Sequence, residues 1–273
     1  MWSRRNTPTP SSNCLSDPTG ATLQFDGTVA TIRIDRSPGN RFSFGLMVQL
    51  QGILIDLANR GDLRGVVLVA GGSDFSFGAD LTDPDLAVRM SGGTLGQREV
   101  AALGEEIIDR WCGLPVPTAI AARGRCIGAG ACFLVGADFR FVAPDLRVQF
   151  PEVDRGLHLS WRILPRLGRE FGWPLARRLA LTGIGVGVEA LPAASVQVCT
   201  DPEAEAFAFA RSQAAKPPLA VRAITEVFRA HDRADREHTH GDVDAFASTA
   251  SSQDFAEAIG AWFAKRPGNY TGR

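Results

Sequence analysis

Two glycine-containing stretches of the sequence offer backbone amides that could hold a negatively charged oxygen. Residues 75–81 follow an apolar run and two glycines, so the chain must turn sharply where a strand ends. Residues 128–132 lead into an apolar stretch, and their small side chains would let a ligand approach the unpaired amides at the positive end of a helix. Together, the two stretches predict a pocket that stabilises an oxyanion.

Three side chains close to these stretches in the sequence have acid–base or thiol chemistry. Glu152 follows Pro151 at the end of a predicted strand, where a glutamate is either a solvated surface group or a general base. Cys132 heads an apolar stretch, which favours a small, inert core residue over a nucleophile. His158 has the ordinary pKa for proton transfer near neutrality, but a hydrogen-bonded structural histidine is at least as common.

Composition excludes several classes of partner. A formal net charge of −1 provides no basic surface for nucleic acid or an anionic membrane. The five cysteines form no Cys-x-x-Cys pair and the histidines add no metal-ligand spacing, so we expect no metal and reduced thiols in a cytoplasm. Residues 1–20 contain proline and serine but no apolar run, which predicts a flexible arm rather than a signal or membrane span.

The elements that must position these residues alternate between strands and helices. Residues 23–25 and 30–34 flank Asp26-Gly27, which predicts a β-hairpin. Helical spacing recurs over 46–57 and 100–111. Further strands are predicted at 66–70, 118–122, 139–143 and 146–150, and further helices at 173–181, 202–216, 217–230 and 255–263. The pattern predicts an α/β core over 21–200 and a helical region over 201–273, with 231–244 as a solvated, histidine-rich loop.

The two loops and the motifs between them resemble the crotonase (enoyl-CoA hydratase/isomerase) superfamily. The resemblance continues through Asp138, residues 150–152, Gly156, Arg166 and Gly172 to residues 181–183, in the order and spacing of the family. It implies a spiral of repeated ββα units with a C-terminal helical trimerisation region, assembled as a homotrimer or homohexamer. It also implies an acyl-CoA substrate, with coenzyme A as part of that substrate and no permanently bound cofactor.

The resemblance assigns the oxyanion donors to the backbone amides of Ala79 and Ala129, since two preorganised donors stabilise an enolate by roughly 3 to 4 kcal/mol each. Of the two glutamates used by the family's hydratases, the second matches Glu152 and the first falls on Cys132. A neutral thiol is a weak partner for water, so two-carboxylate hydration is compromised. Isomerases of the family need only one carboxylate, and we therefore expect an isomerase or hydratase type with Glu152 as the single base.

The turn after Glu152 departs from the proline- and glycine-rich turn of the family. His158 there could serve as a second acid–base group, joined by Asp154 or Ser160, whereas Trp161 is expected to pack. Two alternatives remain open on this account. One is a hydrolase that cleaves carbon–carbon bonds of diketones without CoA, and the other is a catalytically weakened acyl-CoA-binding protein.

Further residues are expected to contact the substrate by position in the matched motifs. Phe263 and Lys265 match the family's contacts to the adenine and phosphates of CoA, although a packed helix end is an equal alternative. Arg36 or Arg41 could add a phosphate contact. The expected lining of the acyl site comprises Phe77, Gly78, Asp80, Gly128, Cys132, Ser160 and Trp161.

Overall fold

The computed structural model describes residues 20–236 and 241–272, and it shows an α/β fold. Its strands are β1 (Ala21–Asp26), β2 (Val29–Ile34), β3 (Gly65–Ala70), β4 (Thr118–Ala122), β5 (Arg125–Ile127), β6 (Phe139–Val142), β7 (Arg147–Gln149), β8 (Val186–Gly187) and β9 (Gln197–Val198). Its helices are α1 (Phe44–Ala58), α2 (Pro84–Ser91), α3 (Gly93–Cys112), α4 (Ala129–Gly136), α5 (Ile163–Phe171), α6 (Trp173–Thr182), α7 (Pro202–Ala214), α8 (Pro218–Arg236), α9 (Asp242–Ala250) and α10 (Gln253–Phe263).

The strands form two sheets that meet at the predicted pocket. The larger has the order β1-β2-β3-β4-β6-β9 and the smaller has the order β5-β7-β8. The hairpin of β1 and β2 is antiparallel, as predicted, and the other neighbours of the larger sheet are parallel. Parallel strands bring their carboxyl ends to one edge of the sheet, which is where ligands bind in such folds.

The larger sheet is covered on both faces, because its central strands are apolar on both sides. Val66 and Leu68 of β3 join the main core with α1, α3 and α4. Val67 and Val69 point the other way and pack against α7 through Ala206 and Ala210. A strand buried on both faces has an uninterrupted apolar sequence, which explains why residues 66–70 lack alternation.

Most predicted elements are confirmed, with one clear correction. Residues 231–244 were expected to form a loop, but α8 continues to Arg236 and α9 begins at Asp242. Two charged residues of this segment are largely buried in ion pairs, Asp232 with Arg166 and Asp242 with His158. His238 and His240 lie outside the described residues, as does nearly all of the predicted arm over 1–20. Helices α2 and α5 were not predicted, and the boundary near residue 200 stays a prediction.

Helix α4 is buried along its whole length and ends on two arginines. All eight of its residues are buried. The Arg140 guanidinium donates to the carbonyl oxygens of Leu134, Val135 and Ala137 at 2.6 to 2.8 Å. Arg166 adds a hydrogen bond to Val135. These cations satisfy the unpaired carbonyls at the negative end of the helix.

A buried ion pair ties α8 to the core. Arg229, which is 1% exposed, donates to both carboxylate oxygens of Asp138 at 2.7 and 2.6 Å. Asp138 also accepts hydrogen bonds from the backbone and hydroxyl of Thr118. Burial by itself would raise the pKa of Asp138, but these donors outweigh it and hold the pKa below its usual value.

None of the described helices is long and apolar enough to cross a membrane.

The Arg229–Asp138 pair leads to a stability prediction. Asp138→Ala leaves the Arg229 cation buried without its carboxylate, so the free energy of unfolding should fall by about 3 to 5 kcal/mol. The matched control is Asp62→Ala, which removes the partner of Arg60 in an exposed pair and should cost less than about 1 kcal/mol. Urea denaturation at a fixed protein concentration measures both. Equal losses in the two variants would contradict the structural importance of the buried pair.

Candidate active site

The two glycine-containing loops predicted to form an oxyanion pocket lie against each other. Gly78 and Gly128 both have positive φ, at 82° and 51°. A Cβ on Gly78 would lie only 3.1 Å from the carbonyl oxygen of Ile127, so only glycine allows this approach without displacement. Ser76 fixes the first loop, since its hydroxyl donates to Asn40 and accepts from the amide of Gly78.

The amides of Ala79 and Ala129 are oriented for a ligand. Phe42 donates to the Gly78 carbonyl and accepts from the Asp80 amide, so the intervening Ala79 N–H faces away from Phe42. Ala129 is the first residue of α4, where helical amides have no intrahelical partner. In the described part of the chain, no hydrogen bond engages either amide, and both residues line the same cavity. The structure therefore brings together the two predicted oxyanion donors.

Glu152 lies beside this pair of loops. A Cβ on Gly128 would be 3.0 Å from its Oε1, and its Oε2 is buried without a hydrogen-bond partner in the described part of the chain. Burial raises the pKa of Glu152 to about 7, against the opposing effects of a backbone hydrogen bond and of Arg155. A carboxyl group with a pKa near neutrality can both accept and return a proton at physiological pH.

Cys132 lines the cavity from the first turn of α4 and is 2% exposed. Burial, followed by the nearby negative charge of Glu152, raises the pKa of its thiol well above the usual value. The thiol is therefore neutral, and a neutral thiol is a poor nucleophile. This environment supports the interpretation of Cys132 as part of the pocket wall.

His158 reaches the cavity but is bound to the C-terminal region. Its Nε2 lies 2.9 Å from Oδ1 of Asp242, and its amide donates to the Thr249 hydroxyl. Asp242 also accepts from the amide of Arg162. One ring nitrogen is thus engaged by a carboxylate, which fixes the imidazole and joins α9 to the turn after Glu152.

Ser160 and Trp161 both line the cavity, as predicted. Ser160 is buried, and the indole of Trp161 lies on α3 at Gly104.

Two residues that were predicted to contact the substrate, Asp80 and Phe77, contact other side chains of the protein and do not line this cavity. Asp80 is buried and bonded to Arg36 at 2.7 Å and to the Thr82 hydroxyl at 2.7 Å. Burial works to raise its pKa, but these donors give a net lowering. Phe77 lies beneath the guanidinium of Arg125, 4.0 Å from the ring centre, and borders a separate polar depression. The structure does not place either side chain in the lining of the oxyanion cavity.

The residues expected to contact coenzyme A lie outside the cavity. Phe263 is 59% exposed at the end of α10, and Lys265 follows it in the exposed C-terminal segment. Helix α10 packs on the turn after Glu152, since a Cβ on Gly156 would meet the backbone of Phe255 at 3.0 Å. Arg41 lies 5.8 Å from the ring centre of Phe77.

Several cavity residues were not predicted from the sequence. They are Phe42, Met47, Leu81, Leu86, Met90, Val100, Leu157, Leu159 and Phe246. The sequence signal that could have found Phe246 is helical spacing, since Asp242, Phe246 and Ala250 recur every four residues and share one face of α9.

No group of three His, Cys, Asp or Glu residues in the described ranges is arranged to hold a metal ion.

The fold and paired amides define an enzyme class, and comparison with known proteins identifies the family. Residues 24–273 match the model of the enoyl-CoA hydratase/isomerase family, so the chain belongs to this family of the crotonase superfamily. It is 26% identical to a probable enoyl-CoA hydratase of Bacillus subtilis over 92% of this chain and 98% of the relative. It is 28% identical to cyclohexa-1,5-dienecarbonyl-CoA hydratase of Thauera aromatica over 94% of this chain and 98% of the relative.

A solved structure supports the fold. The crystal structure of an enoyl-CoA hydratase/isomerase from Mycobacterium paratuberculosis superposes with a TM-score of 0.82 at 23% identity, covering 89% of this chain and 98% of that one. The crotonase-like α/β fold predicted from the motifs is confirmed, and so is an enzyme of the hydratase/isomerase type.

The raised pKa of Glu152 leads to a pH prediction. Between the usual value of 4.5 and about 7, the folded protein holds a proton that the unfolded chain has released. Stability should therefore fall as pH rises through this window, and Glu152→Gln should remove that loss. The mutant should match the wild type near pH 4 and gain stability relative to it by up to about 3 kcal/mol at pH 8. Urea denaturation across this range measures the difference, and a difference independent of pH would contradict the raised pKa.

Proposed function

We propose that the enzyme moves a proton on an acyl-CoA thioester through a stabilised enolate, with Glu152 as its single base. The observation that carries the proposal is the position of Glu152 beside Gly128. The same cavity is lined by Ala79 and Ala129, whose amides have no hydrogen-bond partner among the described residues, and by the buried, neutral Cys132. Among the described residues that line the cavity, Glu152 is the one carboxylic acid. The proposal is supported by the CoA thioester named for the Thauera aromatica relative.

The proposed role of the loops is to hold the thioester oxygen as its charge develops. The amides of Ala79 and Ala129 donate to that oxygen, and the N-terminus of α4 adds its positive partial charge. Because backbone atoms donate, the alanine side chains are free of any chemical role.

A single carboxylate is sufficient for isomerisation of a 3-enoyl to a 2-enoyl thioester. Ionised Glu152 removes a proton from C2, and the electrons pass to the thioester oxygen to give a dienolate. The carboxylic acid so formed returns that proton to C4, the double bond settles between C2 and C3, and the base is regenerated. One group shuttles one proton, so the reaction needs no second carboxylate at Cys132.

Hydration is the second candidate, because His158 also lines the cavity. A water molecule held between His158 and Glu152 could add to the double bond. Against this reaction, Nε2 of His158 is already engaged by Asp242, and the position of the first hydratase glutamate holds the neutral thiol of Cys132, a weak partner for water. We therefore favour isomerisation.

Coenzyme A is proposed as the carrier of the acyl group, not as a resident cofactor. The exposed ring of Phe263 and the cation of Lys265 stand at the end of α10, next to the turn that follows Glu152. They could contact the adenine and phosphates of a substrate that leaves the cavity, and Arg41 could add a phosphate contact. A cytoplasmic location stays a prediction from the sequence.

A homotrimer or homohexamer is the proposed assembly. Helix α8 exposes Leu219, Ile224, Val227 and Phe228, each at least 60% accessible. An apolar face of this kind on a charged protein favours burial against another subunit.

Glu152→Gln tests the proposed base. The amide cannot accept the proton, so kcat for isomerisation of 3-enoyl-CoA should fall by about 10³-fold or more while acyl-CoA affinity is kept. In the wild type, kcat/KM should rise with pH through about 7, as the carboxyl group ionises. Stopped-flow absorbance measures turnover and calorimetry measures binding. A mutant with near-normal turnover would exclude Glu152 as the base, and turnover of free diketones without any acyl-CoA binding would favour the carbon–carbon hydrolase.

Cys132→Glu separates a specialised enzyme from a weakened one. The substitution provides the second carboxylate of the hydratase pattern, with Cys132→Ala as the matched control for loss of the thiol. A specialised isomerase should keep turnover within about tenfold in the alanine variant. The alternative of a catalytically weakened binding protein would be supported if the wild type binds acyl-CoA without turnover and Cys132→Glu then shows hydratase activity.

A further inference from the structure

The cavity at the two glycine-containing loops is small, and apart from Glu152, Cys132, His158 and Ser160 its lining is apolar. Its volume is about 110 Å³. Away from the loops its wall is formed by aliphatic, sulfur-containing and aromatic side chains, among them Met47, Val100, Trp161 and Phe246. This apolar surface accepts a hydrocarbon chain.

Trp161 is held in this wall by an unusual turn. Trp161 and Arg162 both have positive φ, at 68° and 51°, a backbone conformation that is unfavourable for residues other than glycine. A Cβ on Gly104 would clash with the indole, so the ring lies directly on the backbone of α3. Arg162 is paired with Glu105 on the same helix at 2.5 Å. These contacts fix the indole at the cavity.

Phe246 is held in the wall by a different element. It lies on α9 and is 8% exposed. The start of α9 is bound through Asp242 to His158 and to the amide of Arg162, and its end is bound through Ala250 to Gln97 of α3. Polar contacts at both ends of the helix therefore prevent Phe246 from moving aside to admit a longer chain.

The volume sets the size of group that fits. An apolar protein cavity of about 150 Å³ takes a molecule the size of benzene, so 110 Å³ corresponds to an acyl group of about four to five carbons. Phe42, Met47 and Leu86 of the wall are each less than 5% exposed, and closely packed side chains of this kind resist expansion by even one methylene.

We propose that Trp161 and Phe246 are specificity-determining residues that restrict the enzyme to short, apolar acyl thioesters. The inference rests on the proposed function and names its substrate class. The two aromatic rings close the cavity from the turn after Glu152 and from α9, and neither contributes a group to the proton transfer.

The test measures affinity and turnover against acyl length. Saturated acyl-CoAs of four, six, eight and ten carbons are titrated calorimetrically, and the matching 3-enoyl-CoAs are assayed for isomerisation. In the wild type, kcat/KM should fall at least tenfold from the four-carbon to the ten-carbon substrate. Trp161→Ala and Phe246→Ala should each raise the ratio of eight-carbon to four-carbon kcat/KM at least tenfold. The two residues lie on separate elements, so one variant remains informative if the other is unstable.

As matched controls, one tryptophan and one phenylalanine are removed from the protein surface. Trp173→Ala on α6 and Phe25→Ala on β1 delete rings that are 53% and 42% exposed and absent from the cavity wall. Both should keep the wild-type length profile. The size limit would be overturned, and the proposed function kept, by either of two results. One is equal affinity and turnover of the wild type for acyl chains of all lengths, and the other is an unchanged dependence on acyl length in both Trp161→Ala and Phe246→Ala. Failure of every acyl-CoA to bind would overturn the proposed function and the limit with it.

Discussion

The burial of helix α4 is the constraint on which the rest of the site depends. A helix leaves unpaired amides at one end and unpaired carbonyls at the other, and inside a protein both sets need partners. Arg140 and Arg166 satisfy the carbonyl end. At the amide end, Ala129 borders an open cavity, so the partner there can be a ligand oxygen. The chain thus directs an unsatisfied donor toward the space where a substrate would lie.

The arginines at the far end of α4 are themselves buried and need carboxylates. Arg140 is paired with Glu170, and Arg166 with Asp232 on α8. Asp138, at the end of α4, is held in turn by Arg229 of α8. A chain of charge pairs therefore extends from helix α4, which carries the proposed oxyanion donor, to the C-terminal helices. These pairs compensate each other's desolvation, which an isolated buried charge could not do.

Sequence reasoning predicted the parts of this molecule that depend on local pattern. The hairpin at Asp26-Gly27, the doubly buried strand over 66–70 and the two glycine-containing loops all follow from residues close together in the chain. The relation between Ala79, Ala129 and Glu152 was available because their motifs match the family's order. The pKa of Glu152 could not be predicted from the sequence, because it is the burial of this side chain that raises its pKa to about 7.

Contacts between distant segments account for the parts that the sequence did not predict. The bond between His158 and Asp242 spans 84 positions, and the Arg36–Asp80 pair spans 44. No local pattern distinguishes an aspartate that anchors an arginine from one that meets a substrate. Trp161 was expected to pack, and it does, but its resting place at Gly104 depends on how α3 crosses the turn. Such pairs are set by the fold as a whole.

The indole of Trp161 and the ring of Phe246 reach the cavity from elements other than the loops that carry Ala79 and Ala129. The residues proposed for chemistry and those proposed for selectivity therefore lie on different structural elements. A change in α9 can reshape the far wall while the oxyanion donors and Glu152 keep their geometry. Under the two proposals above, this separation would let substitutions in α9 change the acyl groups that the enzyme accepts without altering the residues that move the proton.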